Sequence, residues 1–362
     1  MNTILGELGK SKKFVELIKN IEEKQSPIGI SGLSNVGMLE TIASINEYSK
    51  KPIAIITYNE IQAKWIMENI QFFTDKAIYF PKKDIVTYDY VAESKDLPYS
   101  RIEALNKINS KRNYILVTTI EAAMQKLPAK QLLYKNTLKF KVGEIHSLDK
   151  IKQNLVNLGY TRCDLIEGRG QFSLRGGILD ISINDAIGVR VEFWGDEIDS
   201  IRNFNIISQR SINTLEKVEI EPAHEYILEK PIEEICKKVR KTIANDEQEE
   251  IIEQDIEQIK AGNYISKIDK YFDCFYDKQE TIIDYLNTNS IITFDEIRKI
   301  EQRAQNIIKD NEQLIKNLIE KGKVVPQAIS NIQTFSSIEN NTKESEKTII
   351  CIEKQDTKIE RQ

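Results

Sequence analysis

The stretch Pro27-Ile28-Gly29-Ile30-Ser31-Gly32-Leu33-Ser34-Asn35-Val36-Gly37-Met38-Leu39 decides the fold class. Pro27–Ser31 is a short apolar run of strand character, and Met38–Tyr48, beyond the glycine-bearing turn, has helical spacing. Downstream the same unit recurs: Pro52–Thr57 is a second apolar run, followed by a helical stretch around Glu60–Phe72. Ala77–Phe80 and Tyr114–Thr119 are further runs with helical Ser100–Asn109 between them. Upstream, Ile4, Leu5, Leu8, Phe14, Leu17, Ile18 and Ile21 recur near helical spacing across residues 1–25. Short apolar strands alternating with helices predict a parallel α/β sheet.

The turn has the spacing of a phosphate loop, G-x-x-x-x-G-K-[ST], with Gly32 and Gly37 after a strand and before a helix. The two chemical positions fail. Met38 stands where a lysine would meet the β- and γ-phosphates, and Leu39 where a hydroxyl would hold Mg²⁺. Two glycines alone serve an ordinary turn equally well. Further on, the apolar run Ser290–Phe294 ends in Asp295-Glu296, the position and pair a Walker B motif uses for Mg²⁺ and the attacking water. Acidic residues after a strand are also common for structural reasons. Both remnants in one α/β unit fit a degenerate RecA-like P-loop ATPase/helicase domain.

After Leu127-Pro128 the pattern changes. Leu138–Val142, Gln171–Leu174, Ile178–Ile183, Val189–Trp194 and Glu197–Phe204 are short strands, several alternating with period two, broken by Gly176-Gly177 and Gly195-Asp196. Helical Leu148–Leu158 sits among them. The expected organisation is a first RecA-like part over 26–125 and an inserted small α+β domain over 126–212. Residues 1–25 and 213–340 are expected to be the helical remainder of the RecA-like domain. Residues 341–362 read as a linker or the start of a further domain, with one apolar run at Thr348–Ile352.

The 362 residues are too many for one ordinary domain, and 40% hydrophobic with 30% charged residues allow sizeable cores under a solvated surface. No apolar run approaches the ~18 residues of a membrane span, and the N-terminus lacks a signal peptide's unbroken apolar core. The expected location is the cytoplasm, with no membrane partner. Cys163, Cys236, Cys274 and Cys351 lie far apart without metal spacing, and His146 and His224 are the only histidines. A histidine triad or a zinc site therefore has little material. The net charge of -5 argues against a dedicated nucleic-acid binder. Residues 126–212 carry 13 Lys and Arg against 10 Asp and Glu, a local +3 that leaves -8 elsewhere. This middle region is the part best suited to an acidic partner.

Three stretches carry a family resemblance. Phe80–Asp89 (FPKKDIVTYD) precedes Ser100–Leu105 (SRIEAL) and Tyr114–Thr119. Gly159–Ile181 reads GYTRCDLIEGRGQFSLRGGILDI and continues at Val189–Ser211 as VRVEFWGDEIDSIRNFNIISQRS. Asp284–Glu296 reads DYLNTNSIITFDE. Together they resemble the N-terminal, UvrB-homologous region of bacterial transcription-repair coupling factors, and more distantly the excision-repair helicase UvrB. The likeness covers most of residues 25–300. UvrB keeps the phosphate-loop lysine and a D-E-S-H motif, whereas here Met38 replaces the lysine and Ile297-Arg298 follow Asp295-Glu296. UvrB also carries an aromatic hairpin, for which Tyr88–Ser100 leaves little room. The coupling factor is the better fit, and an active UvrB-type helicase is the alternative.

The resemblance implies a piece of a longer ATP-dependent DNA translocase, with ATP and Mg²⁺ used in motor domains beyond this chain. It implies no catalytic residue, metal or cofactor in this segment. Contacts with RNA polymerase and double-stranded DNA would lie beyond it as well. The small domain would dock UvrA, the damage-recognition ATPase, through Arg162, Arg175, Phe172 and Gly176, with Ser173 where UvrB has another arginine. Independently of the family, guanidinium groups on a turn can fork onto carboxylates, and a neighbouring aromatic can supply apolar contact area. The plain alternative is that these arginines merely solvate the surface or pair with Asp164 and Glu167. Glu192, Asp196, Glu197 and Asp199 make a poor acid/base or metal cluster, because strand alternation sends neighbours to opposite faces. Phe193 and Trp194 are expected to pack the sheet, and Tyr58, Trp65, Phe72 and Phe73 to join cores.

Overall fold

The computed structural model describes residues 8–83, 96–135, 137–228, 230–243, 246–261, 265–320 and 332–354. The chain divides into two compact units, the larger comprising Met1–Ala92, Lys107–Leu127 and Ile232–Gln362, the smaller Glu93–Asn106 and Pro128–Pro231.

The large unit is built on six parallel strands: β1 (Ile28–Leu33), β2 (Ile53–Thr57), β3 (Ala77–Phe80), β4 (Ile115–Thr119), β5 (Ile291–Asp295) and β6 (Thr348–Lys354). Their order is β1-β6-β5-β2-β4-β3, and every neighbouring pair is parallel. Helices cover both faces, which is why β2, β4 and β5 are unbroken apolar runs with all five residues buried. On one face Phe14, Ile21, Leu39, Ile42, Ile45, Ile66 and Ile70, from helices Lys12–Glu22, Asn35–Ser49 and Glu60–Ile70, meet Ile55, Val117 and Ile350. The other face carries helices Ile297–Glu320 and Phe335–Glu344, whose Ile300, Ala304, Ile307 and Ile338 are buried, with Phe335 edge-on to Phe294 at 5.8 Å.

Two local readings change. The helix after β1 begins at Asn35, ahead of the expected Met38, because Ser34 caps it by accepting from the Gly37 amide at 3.1 Å. The apolar run in the polar tail, assigned to a linker or a further domain, is β6, and it lies between β1 and β5 inside the sheet. Long-range pairing decides it: Ile350 matches Ile28 on one side and Thr293 on the other.

In the small unit the strands run in the order Ser211–Leu215, Glu197–Asn205, Ile187–Trp194, Ile178–Ser182, Gln171–Arg175, Thr161–Arg162. All neighbours are antiparallel except the last pair. Helix Leu148–Asn157 buries Ile151 and Leu155, and Phe172, Leu179, Ile181, Val189, Val191 and Phe204 are core residues of the sheet. The unit runs on past 212, since Lys217–Ile220 pairs with Leu138–Lys141. It also takes in Glu93–Asn106, which the sequence reading gave to the first part. Arg101 is the reason: its Nε lies 3.0 Å from both carboxylate oxygens of Glu225, with both side chains almost wholly buried.

Candidate functional site

Two places deserve a geometric account, one in each unit. The first is the carboxyl edge of the parallel sheet, where open α/β sheets bind ligands. Gly32 has φ +81° near the end of β1, a left-handed conformation that a side chain disfavours. Gly37 lies in the first turn of the following helix, and its amide is already taken by Ser34. Met38 and Leu39 point into the apolar core and are completely buried.

At the end of β5, Asp295 is completely buried. Its Oδ2 accepts from the Thr57 hydroxyl at 3.3 Å and from Gln62 Nε2 at 3.2 Å. The Lys354 ammonium, at the end of β6, lies 2.7 Å from Oδ1 and 3.0 Å from Oδ2. Register puts Lys354 opposite Leu33 of β1, and its side chain reaches the other way, to Asp295 of β5. Glu296 has φ +64°, accepts from the Lys354 amide at 3.0 Å and pairs with Lys299 at 3.1 Å. The two acids are thus committed to protein cations. Spacing brought Asp295-Glu296 to this edge; Lys354 was not a candidate, because a lysine at a strand end looks locally like a solvated residue.

The second place is the end of the small sheet. Arg162 is exposed on the edge strand and has no ion pair among the described residues. Arg175 is 56% exposed and lies 3.7 Å from Asp180. That carboxylate already receives Arg190 at 2.6 and 2.8 Å, and the bonded carboxylate in turn holds the Arg190 guanidinium above its usual pKa. Arg175 is therefore only loosely held, and neither arginine pairs with Asp164 or Glu167 among the described residues; both side chains are solvated. Gly176 makes the turn with φ +59°.

Two residues proposed for docking lie elsewhere. Phe172 is 0% exposed, so its ring belongs to the core, and Ser173 is buried with its hydroxyl donating to the Asp164 carbonyl at 2.8 Å. Conversely, Trp194, expected in the sheet packing, is 85% exposed, and Phe72, a core candidate, is exposed too. Phe193 is buried, and Trp65 and Phe73 pack partly against the large core, as read. Glu192 is bound by Arg202 and Ser200, and no cluster of three metal-ligating side chains occurs among the described residues. Asp84–Asp89, part of the first resembling stretch, and most of Tyr88–Ser100 lie outside the described residues.

Comparison with known proteins bears directly on this second place. Residues 138–226, nearly the whole Pro128–Pro231 segment, match the family described as the UvrB interaction domain. The transcription-repair-coupling factor of Bacillus subtilis is 28% identical over 340 residues, covering 90% of this chain and 29% of that protein. That of Staphylococcus aureus (strain bovine RF122 / ET3-1) is 29% identical over 81% of this chain and 26% of its own length. That of Staphylococcus epidermidis (strain ATCC 35984) is 28% identical over 87% and 28% respectively. The chain is similar to the transcription-repair-coupling factors over most of its length. It spans under a third of the length of these relatives. The residues that match the UvrB interaction domain include both exposed arginines, and the coupling-factor likeness extends across the large unit as well.

Proposed function

We propose that this chain is a non-catalytic docking module that recruits UvrA within transcription-coupled nucleotide excision repair. The observation that carries the reading is the UvrB interaction domain with Arg162 and Arg175 exposed and poorly satisfied at its edge and turn. Separate carboxylates on UvrA, one for each arginine, would receive their charge-assisted bonds. Gly176 lets the turn come close to the partner.

The large unit is read as a RecA-like domain with a degenerate phosphate loop at Gly32, Gly37, Met38 and Leu39 and a degenerate Walker B pair at Asp295 and Glu296. The full burial of Met38 and Leu39 and the occupation of Asp295 by Lys354 support that reading. The insert is proposed to be the small unit and the RecA-like domain the large unit, with the bounds of the two compact units in place of 126–212 and of 26–125 with 1–25 and 213–340. No ATP or Mg²⁺ is required in this segment. The longer protein is read as a cytoplasmic ATP-dependent translocase that displaces RNA polymerase, with polymerase and duplex DNA bound by regions beyond this chain. No described helix is long and apolar enough to cross a membrane.

The test is calorimetric titration of UvrA into the wild-type chain, Arg162→Ala and Arg175→Ala. Each substitution is expected to weaken binding by about 2 kcal/mol, roughly thirtyfold. Unchanged affinity in both would remove this interface. An ATP-turnover assay covers the alternative: turnover by the purified chain would favour a UvrB-type helicase.

A further inference from the structure

The turn at Gly176-Gly177 and the turn at Gly195-Asp196 lie at the same end of the small sheet, because the Phe193 amide donates to the Gly177 carbonyl at 2.7 Å. Register then orders the side chains on one face. Arg175 pairs with Ile178, Ile178 with Glu192 and Glu192 with Ser200, which makes one row across four strands. The next row outward is Trp194, Glu197 and Ile145, through the Trp194–Glu197 pair and the Ile145–Glu197 bridge. Paired residues share a face, and Trp194 is the diagonal neighbour of Ile178, within reach of an aromatic side chain. Glu192 is consumed by Arg202 and Ser200. What remains outward is a loosely held cation, Arg175, beside Ile178 at 40% exposure, then Trp194 at 85%, and beyond it the exposed carboxylate of Glu197 and Ile145 at 77%.

We propose that Trp194, with Ile178 and Ile145 flanking it, is the apolar anchor of the UvrA-docking face, in the role the sequence had suggested for Phe172. The inference rests on the docking function proposed above. Exposed apolar groups on the same face as a loosely held guanidinium fit a partner surface that offers a carboxylate next to an apolar pocket. Buried Trp and Arg side chains are also the residues that dominate binding at such centres. Trp194 adds rigid contact area, Arg175 adds direction, and exclusion of water by the first strengthens the bond made by the second.

The experiment uses the full chain labelled with 5-fluorotryptophan. Its two tryptophans, Trp65 and Trp194, give two fluorine resonances, assigned with Trp194→Phe. On adding UvrA the Trp194 line is expected to shift or broaden while that of Trp65 stays in place. Trp194→Ala is expected to weaken UvrA binding at least tenfold with an unchanged melting temperature, and Trp194→Phe to retain most of it. If the wild-type chain does not bind UvrA, the docking function itself fails. If it binds and Arg175→Ala weakens it while Trp194→Ala does not and the Trp194 line stays still, only the anchor is overturned. A Trp194 line that broadens with chain concentration alone would assign the patch to self-association and overturn it equally.

Discussion

The Lys354 ammonium sits 2.7 and 3.0 Å from the two oxygens of the Asp295 carboxylate, which has no exposed surface. The pair joins the ends of the adjacent strands β5 and β6, and Thr57 and Gln62 both donate to Oδ2, leaving Oδ1 to the ammonium. Removing one member leaves a buried charge without compensation, whereas removing both is far less costly. Lys354→Met is therefore expected to destabilise the large unit by about 3 kcal/mol, and the Asp295→Asn, Lys354→Met double variant to recover most of that loss. Hydrogen exchange of the β5 and β6 amides reads it. Equal protection in all three proteins would make the pair energetically idle.

Arg101 and Glu225 set a parallel expectation for the small unit. Their two bonds of 3.0 Å are buried, and Tyr99 and Asn106 on the same helix reach the Arg169 and Pro222 carbonyls at 3.2 and 3.3 Å. Arg101→Met should cost the small unit roughly 3–5 kcal/mol, because Glu225 then stays buried and unpaired. Pulse proteolysis across a urea series should show the small-unit fragments cut at lower urea, with the large unit unmoved. An unchanged midpoint would mean that apolar packing alone holds the helix.

How much of this was legible beforehand follows from the range of each signal. Strands β2, β4 and β5 are continuous apolar runs, visible in any short window, and their alternation with helices gave the parallel sheet. Strand β6 carried the same signal at Thr348–Ile352, but its polar surroundings hid it, and only pairing with residues such as Ile28, more than three hundred positions away, sets it in the sheet. Lys354 was invisible for the same reason. In the small unit, period-two alternation marked Val189–Trp194 as a strand, but both Phe193 and Trp194 were expected in the packing and only Phe193 is buried. Trp194 stands next to the Gly195-Asp196 turn, and that position was the available hint. Phe172 and Ser173 are both buried because the Asp164 segment folds over one side of their strand, a closure no local pattern encodes.

His224 ties one glycine to a pH response. Gly159 has φ +88°, and a Cβ there would come within 2.2 Å of the His224 ring. Enclosure of the imidazole lowers its pKa to about 4, whereas an unfolded histidine titrates near ~6.5. Below the unfolded value the unfolded chain takes up a proton that the folded chain refuses. Stability on this account falls as pH drops from about 6.5 to 4, with no contribution above that window and no further loss beneath it. Part of the residue still reaches solvent, so the expected loss is about 2 kcal/mol rather than the ~3 that the full difference would give. His224→Asn, which can still accept from the Tyr226 amide, should remove this part of the slope in urea titrations at pH 7 and 4.5. Parallel slopes in both proteins would refute the assignment.

The two docking arginines should act independently. Arg162 pairs with Phe172, and Arg175 lies three residues further along that neighbouring strand, so their backbones are about 11 Å apart at ~3.3 Å per residue and ~4.8 Å between strands. Parity also separates them, since Arg162 shares the side of Phe172 and Arg175 that of Ser173. Two long guanidinium side chains at that spacing could converge on one acid only by bending around the sheet edge, at a cost in side-chain entropy. Their separate losses in UvrA affinity should therefore add to within about 0.5 kcal/mol in the Arg162→Ala, Arg175→Ala double variant. A coupling above about 1 kcal/mol in the calorimetric cycle would instead mean that both grip a single carboxylate on the partner.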